Sequence, residues 1–263
     1  MILRSFLFGL LAVGPAIAVS GLPEPLTARG CPGCDLQRQE FRALDLRDAD
    51  FTRANLRDAD LKLAHLPGAR FTKADLRRVE MEGSMLDKAN FQDANLEGAD
   101  LEKATLTGAT FRNAQMRHID LENVLAAGAD FSSTDLREAM MRRADLSAAR
   151  FVSANVSKAD LERAALAGAD LTRARFAGAN LDRANLTGAI LRSVDFSDVR
   201  LTSAQLVGAD LREASMDGAR LRRTNLSGAD LSSASGLDQR QLDDACGNAA
   251  TKLPRGLSVR ACQ

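Results

Sequence analysis

The sequence predicts an all-β fold: a four-sided coil of stacked rungs, about ten coils long, closed at its C-terminal end by a short helix. Three observations predict it. Every fifth residue from Leu36 to Leu231 is large and apolar. Of those 40 positions, 39 hold Leu, Phe, Met or Val, so only Ala126 departs from an inward-facing column. Two residues earlier runs a second column, with Ala at 29 of 40 positions, so two inward side chains per unit share a narrow section. Finally, Phe51, Phe71, Phe91, Phe111, Phe131 and Phe151 recur every 20 residues, which makes one coil four pentapeptides.

A period of five suits neither common element. Five residues rotate an α-helix by about 500°, so an apolar column would wander round it. On a straight strand an odd spacing sends successive large residues to opposite faces. The pattern faces inward only if the chain turns one corner per unit, and four corners close a coil. Coils stacked at about 4.8 Å make a rod on the order of 48 Å long. The phenylalanines then form one file, with a second short file at Phe176 and Phe196 on the adjacent side. Trp and Tyr are absent, which suits an interior with no room for a polar tip.

Units such as Ala54-Asn55-Leu56-Arg57-Asp58 and Ala99-Asp100-Leu101-Glu102-Lys103 resemble the A(D/N)LXX motif of the pentapeptide repeat family. The resemblance covers about three-quarters of the chain, a tandem array long enough to be specific. It implies a right-handed quadrilateral β-helix; periodicity alone does not set the hand. The stretches Ala245-Cys246-Gly247 and Thr251-Lys252-Leu253-Pro254 are similar to a tail on exported members, with a Cys246–Cys262 bridge expected.

Residues 1–18 read as a signal peptide: Arg4, the apolar run Phe6–Val13 and the small-x-small site Ala16-Ile17-Ala18, with cleavage between Ala18 and Val19. The run is too short for a membrane span of about 20 residues. The expected organisation is a signal at 1–18, a flexible segment at 19–30, the repeat coil at 31–235 and a cap at 236–263. A periplasmic or secreted location in a bacterial envelope follows, without stable membrane insertion.

Cys31-Pro32-Gly33-Cys34 places Pro and Gly where a type II turn wants them. Such a turn brings Cys31 and Cys34 within reach of a disulfide. Both are in phase with the inner columns, so they form an N-terminal plug whether bonded or not. The rod separates this pair from Cys246 and Cys262, which excludes cross-pairing. At the other end, Asp238-Gln239-Arg240-Gln241 reads as a capping box opening a helix. Leu237, Leu242 and Ala245 are placed to cover the last coil.

Two outer sides stand out. One is smooth and nearly uncharged: Leu125, Ala127, Ala165, Ala167 and Val207 point outward beside corner glycines, interrupted by Asp87, Lys88 and Asp145. The other is electrically split. Its first rungs carry Asp60, Glu80, Glu82, Asp100, Glu102, Asp120 and Glu122, opposed mainly by Lys62 and Lys103. Its last rungs carry Arg200, Arg220, Arg222 and Arg223.

Catalytic chemistry finds no local constellation. His65 and His118 fall on different sides, and the Asp before each large residue recurs in nearly every coil, as a turn former would. No phosphate loop, metal motif or cofactor motif is present. The chain balances 35 basic against 35 acidic residues, which argues against nucleic acid as partner. The expected role is a non-enzymatic exported scaffold offering its sides to a protein partner or to itself. Members of the resembling family that imitate duplex DNA and protect DNA gyrase from quinolones supply the alternative. That role needs acid along the whole rod, because B-DNA carries one charge per about 1.7 Å. Near-zero net charge and the export signal disfavour it.

Overall fold

The structure is a computed structural model that describes residues 29–262. The export signal, the Ala18–Val19 junction and nearly all of the segment 19–30 lie outside the described residues.

Each pentapeptide forms one side and one corner. The residue before each large one makes a parallel bridge to the residue 20 further on, from Gly30 with Asp50 through to Ser215 with Ser235. The spacing of the phenylalanines is therefore the spacing of the hydrogen-bond ladder. The bridges are single residues rather than extended strands, because a corner interrupts the chain after every third residue. The ladder already includes Gly30, whose lack of a side chain is required: a Cβ there would stand 2.3 Å from the Asp50 carbonyl oxygen.

The corners are turns closed by the amide three residues after each large residue, as where Ala54 N–H donates to Phe51 O at 3.0 Å. Their third residue has positive φ, 60° at Arg53 and 58° at Asp58, as in type II turns. Left-handed backbone costs a non-glycine residue roughly 1–2 kcal/mol. The ladder holds it there regardless: Arg53 N–H donates to Thr72 O at 2.9 Å on the next rung. Where Asp or Asn opens a side, it supports the same corner. Asp60 accepts from the Lys62 amide at 2.9 Å and Asp100 from the Glu102 amide at 3.0 Å, which makes these carboxylates turn formers, as their periodicity predicts.

Inside, the whole large column from Leu36 to Leu231 is buried. The small column is buried from Ala49 onward, while Cys34 and Leu44 of the first coil are only partly covered. Polar members of the small column are satisfied by backbone carbonyls: Ser84 donates to Met81 O at 2.7 Å and Thr134 to Phe131 O at 2.6 Å. Ala126, the exception in the large column, sits beside Val124 in the small one, so volume is exchanged within one unit. The bulkier residue lengthens its turn bond, to 3.5 Å at Val124 against 3.0 Å at Ala104. Phe71, Phe91, Phe111 and Phe131 stack nearly parallel with centroids 4.7–4.9 Å apart. Phe176 and Phe196 instead meet edge to face, 72° between planes.

The C-terminal end breaks the periodicity. Helix α1, Gln239–Leu242, is opened by the expected capping box: the Asp238 side chain accepts from the Gln241 amide, and the Gln241 side chain from the Asp238 amide. Gln241 also donates its side-chain amide to Met216 O and Ala219 O at 2.8 and 3.1 Å, and the Ala219 carbonyl is one that a further rung would otherwise take. Leu242 and Ala245 are fully buried against the last coil, and Leu237 packs there partly exposed. Beyond the helix the chain rejoins the ladder out of step. Asn225 bridges Cys246 and Asp230 bridges Lys252, spacings of 21 and 22 residues. Strand β1, Cys246–Gly247, pairs in parallel with β2, Arg260–Ala261, beside the Cys246–Cys262 disulfide. Cys31 and Cys34 are also bonded, with Cα atoms 5.6 Å apart across the Pro32-Gly33 turn. Among the described residues no helix is long and apolar enough to cross a membrane.

Candidate interaction surfaces

With every fifth residue buried, chemistry is left to the outer sides. On the smooth side the ladder starts with Asp45 and His65 and runs on through Met85, Thr105, Leu125, Asp145, Ala165, Asn185, Gln205 and Asn225. Leu125 is 53% exposed and Met85 45%, high for apolar side chains on a folded surface. Ala127, Ala165, Ala167 and Val207 are half-exposed, so all five residues expected to point outward do so. The corner beside them is a file of Gly108, Gly128, Gly168, Gly188 and Gly208 broken by Ala148. Around Gly128, Gly168, Gly188 and Gly208 nothing occupies the space a Cβ would meet, so this edge stays open. Asp87 does not intrude as a free charge: it accepts from the Thr105 hydroxyl at 2.6 Å and the Thr107 amide at 3.1 Å. Asp145 is a charge on the ladder between Leu125 and Ala165, accepting from the Ser147 amide at 3.1 Å; beyond it the side is polar and uncharged, with Asn225 donating to Gln205 at 3.1 Å.

On the split side, Asp60, Glu80, Asp100 and Asp120 are consecutive bridge partners. Glu82, Glu102 and Glu122 stand one corner position away on the same rungs. The two lysines compensate part of this, Lys62 to Glu80 at 2.8 Å and Lys103 to Glu102 and Glu82 at 3.1 and 3.3 Å. Two arginines that a count of nearby lysines misses add to it: Arg42 reaches Asp60 at 3.7 Å and Arg142 reaches Glu122 at 4.0 Å. Their signal in the sequence is a separation near 20, one rung rather than one helical turn. Asp100 and Asp120 have no ion-pair partner among the described residues. Burial, and then the charges of Asp100, Glu122 and Glu102, push the Asp120 carboxyl up despite its bond to the Glu122 amide.

At the other end of this side, Arg200 is paired with Asp182, and Arg183 with Glu162 at 3.6 Å. Arg222 and Arg223 share a shallow depression with those four. Arg220, Arg222 and Arg223 make no ion pair among the described residues.

Charge is also neutralised within units. In Asp45-Leu46-Arg47 and Asp210-Leu211-Arg212 the arginine forks onto the preceding aspartate, which holds both carboxyls far below the usual range. His65 lies 3.3 Å from Asp45 and His118 3.6 Å from Glu138, on different sides of the rod. Among the described residues no three or more His, Cys, Asp or Glu converge to hold a metal ion.

No curated protein matches the chain in sequence. Among solved structures, it is similar to HetL, a pentapeptide repeat protein involved in heterocyst differentiation regulation from the cyanobacterium Nostoc sp. strain PCC 7120. The two are 30% identical over 82% of this chain and 92% of that one, with a TM-score of 0.39. Rfr23, a pentapeptide repeat protein from the cyanobacterium Cyanothece 51142, is 27% identical over 43% of this chain and 86% of its own, with a TM-score of 0.37. Trypsin-treated QnrB1, a plasmid-mediated fluoroquinolone resistance protein, is 19% identical over 70% and 89%, with a TM-score of 0.31. The family profile for pentapeptide repeats matches residues 31–123, 129–198 and 204–235. The chain therefore belongs to the pentapeptide repeat family.

Proposed function

We propose that this protein is a non-enzymatic scaffold of the bacterial envelope: a right-handed rod of about ten coils, exported by its N-terminal signal and presenting its smooth side to a protein partner. One observation carries the reading. Leu125, Ala127, Ala165, Ala167 and Val207 form an outward file, interrupted only by Asp145, beside an open glycine edge, and a side this sparse in charge costs little to desolvate. The rigid ladder behind it holds the surface in shape before any partner arrives. The cysteines at both ends suit an oxidising compartment.

A gyrase-directed role as a DNA mimic needs acid along the whole rod. Here the acidic files give way to Arg200 and Arg220 on the same side.

Affinity capture from envelope extracts, with the protein and with a Leu125→Asp/Ala165→Asp variant, tests the reading. A specific partner recovered by the former and lost by the latter is expected. Equal recovery by both removes the smooth side from the account. N-terminal sequencing of the exported protein should begin at Val19.

A further inference from the structure

The split side pairs two uncompensated regions of opposite sign at a set separation. Asp100 and Asp120 lack cationic partners, and Arg220, Arg222 and Arg223 lack anionic ones, among the described residues. Asp120 and Arg220 lie in one straight ladder, joined through Met140, Asp160, Asn180 and Arg200. Five rungs separate them, about 24 Å. The rungs between are close to neutral: Met140 is 42% exposed, Asp160 is held by Arg142 at 2.7 Å, and Arg200 by Asp182.

A ligand that satisfies both regions must carry the opposite pattern at the same spacing. A polycation would cover only the first region and a polyanion only the second. A second copy of this chain, turned end for end, carries the required pattern by construction. A two-fold axis lying across the rod between the Asp160 and Asn180 rungs, midway from Asp120 to Arg220, keeps each file opposite itself and reverses its direction. Asp120 and Glu122 then face the arginines at 220 and 222 of the second copy, and the reciprocal contact forms at the other end. A parallel arrangement sets acid against acid, so charge alone selects the antiparallel one.

We propose that this side is a self-association surface on which two copies pack side by side and antiparallel. The proposal deepens the self-association part of the scaffold reading but uses a different side from Leu125, so the two fail separately.

Sedimentation velocity of the purified protein across a salt series tests it. A dimer is expected at low ionic strength, dissociating at 1 M salt, where the Debye length is about 3 Å. An Asp120→Lys/Glu122→Lys variant and an Arg220→Glu/Arg222→Glu/Arg223→Glu variant should each raise the dissociation constant more than about tenfold. An equimolar mixture of the two should restore a heterodimer, since each reversed end then meets a complementary one. All five side chains lie outside the shaft, and circular dichroism identical to the parent confirms that each variant is folded. A monomer at low salt overturns the proposal, as does a dimer indifferent to salt and to both reversals. Binding of polylysine or heparin by a protein that stays monomeric would also overturn it, in favour of a foreign polyelectrolyte.

Discussion

The coil and its C-terminal cap solve the same problem in opposite ways. In the coil each rung repeats the one before it, and no rung depends on a distant residue. Large side chains stack on large ones, and the same turn amide closes each corner. In the cap nothing repeats. A one-turn helix replaces a side, the Gln241 side chain stands in for backbone donors, and the ladder spacing slips from 20 to 21 and then 22 residues. Gly236 marks the change: a Cβ there would fall 2.6 Å from the Asp217 amide nitrogen. The difference teaches that a solenoid is specified by nearest neighbours, whereas its end must be specified individually, because the last rung has exposed backbone groups and no successor to pair them.

The largest test of this contrast is a hole in the middle of the shaft. Phe111→Ala removes the centre of the ring stack and leaves the rungs above and below without contact. A loss of about 3–5 kcal/mol is expected, read as a lower urea midpoint for the whole rod. Cys246→Ser with Cys262→Ser opens the 16-residue loop of the cap. Its cost should be about 3 kcal/mol on loop-closure arguments. If the contrast holds, the loss is local: hydrogen exchange should rise in residues 225–262 while rungs around Phe111 stay protected.

Ala149→Leu tests the narrow column from the other direction. Ala149 is fully buried, and overpacking should cost about 1–3 kcal/mol. An unchanged urea midpoint would mean that this column has slack. The smallest effect belongs to the surface. Asp120→Asn keeps the oxygen that accepts from the Glu122 amide at 2.8 Å and removes a charge crowded by three others. A gain of roughly a few tenths of a kcal/mol at neutral pH is expected. Folding raises this carboxyl, so its ionisation weakens the fold as pH climbs from the ordinary aspartate value through the raised one. The advantage of Asn should therefore vanish below about pH 4. Asp210 behaves in the opposite sense. Arg212 and then Arg192 depress its carboxyl, so its support is present above the ordinary value and is lost as pH falls below it.

Reading outward from the sequence, some surface features were legible and others were not. The exposure of Leu125 and Val207 followed from their phase in the five-residue period. The Asp238 capping box followed from four adjacent residues. The partial cover over Cys34 and Leu44 falls where the small column itself departs from Ala, reading Cys34, Gln39 and Leu44 before Ala49.

The sequence by itself determined the shaft, the 20-residue rung and the sites of both caps. Each of those is written in a local period or a contiguous motif, and burial enforces it at every repeat. Only the tertiary structure decided which charges are left over. Arg42 with Asp60, Arg142 with Asp160 and Arg200 with Asp182 meet across rungs at a separation of 18, where side-chain reach and rotamer choose between several carboxylates. Stacking brings many candidates to within a few ångströms at once, and the period that specifies the fold does not rank them.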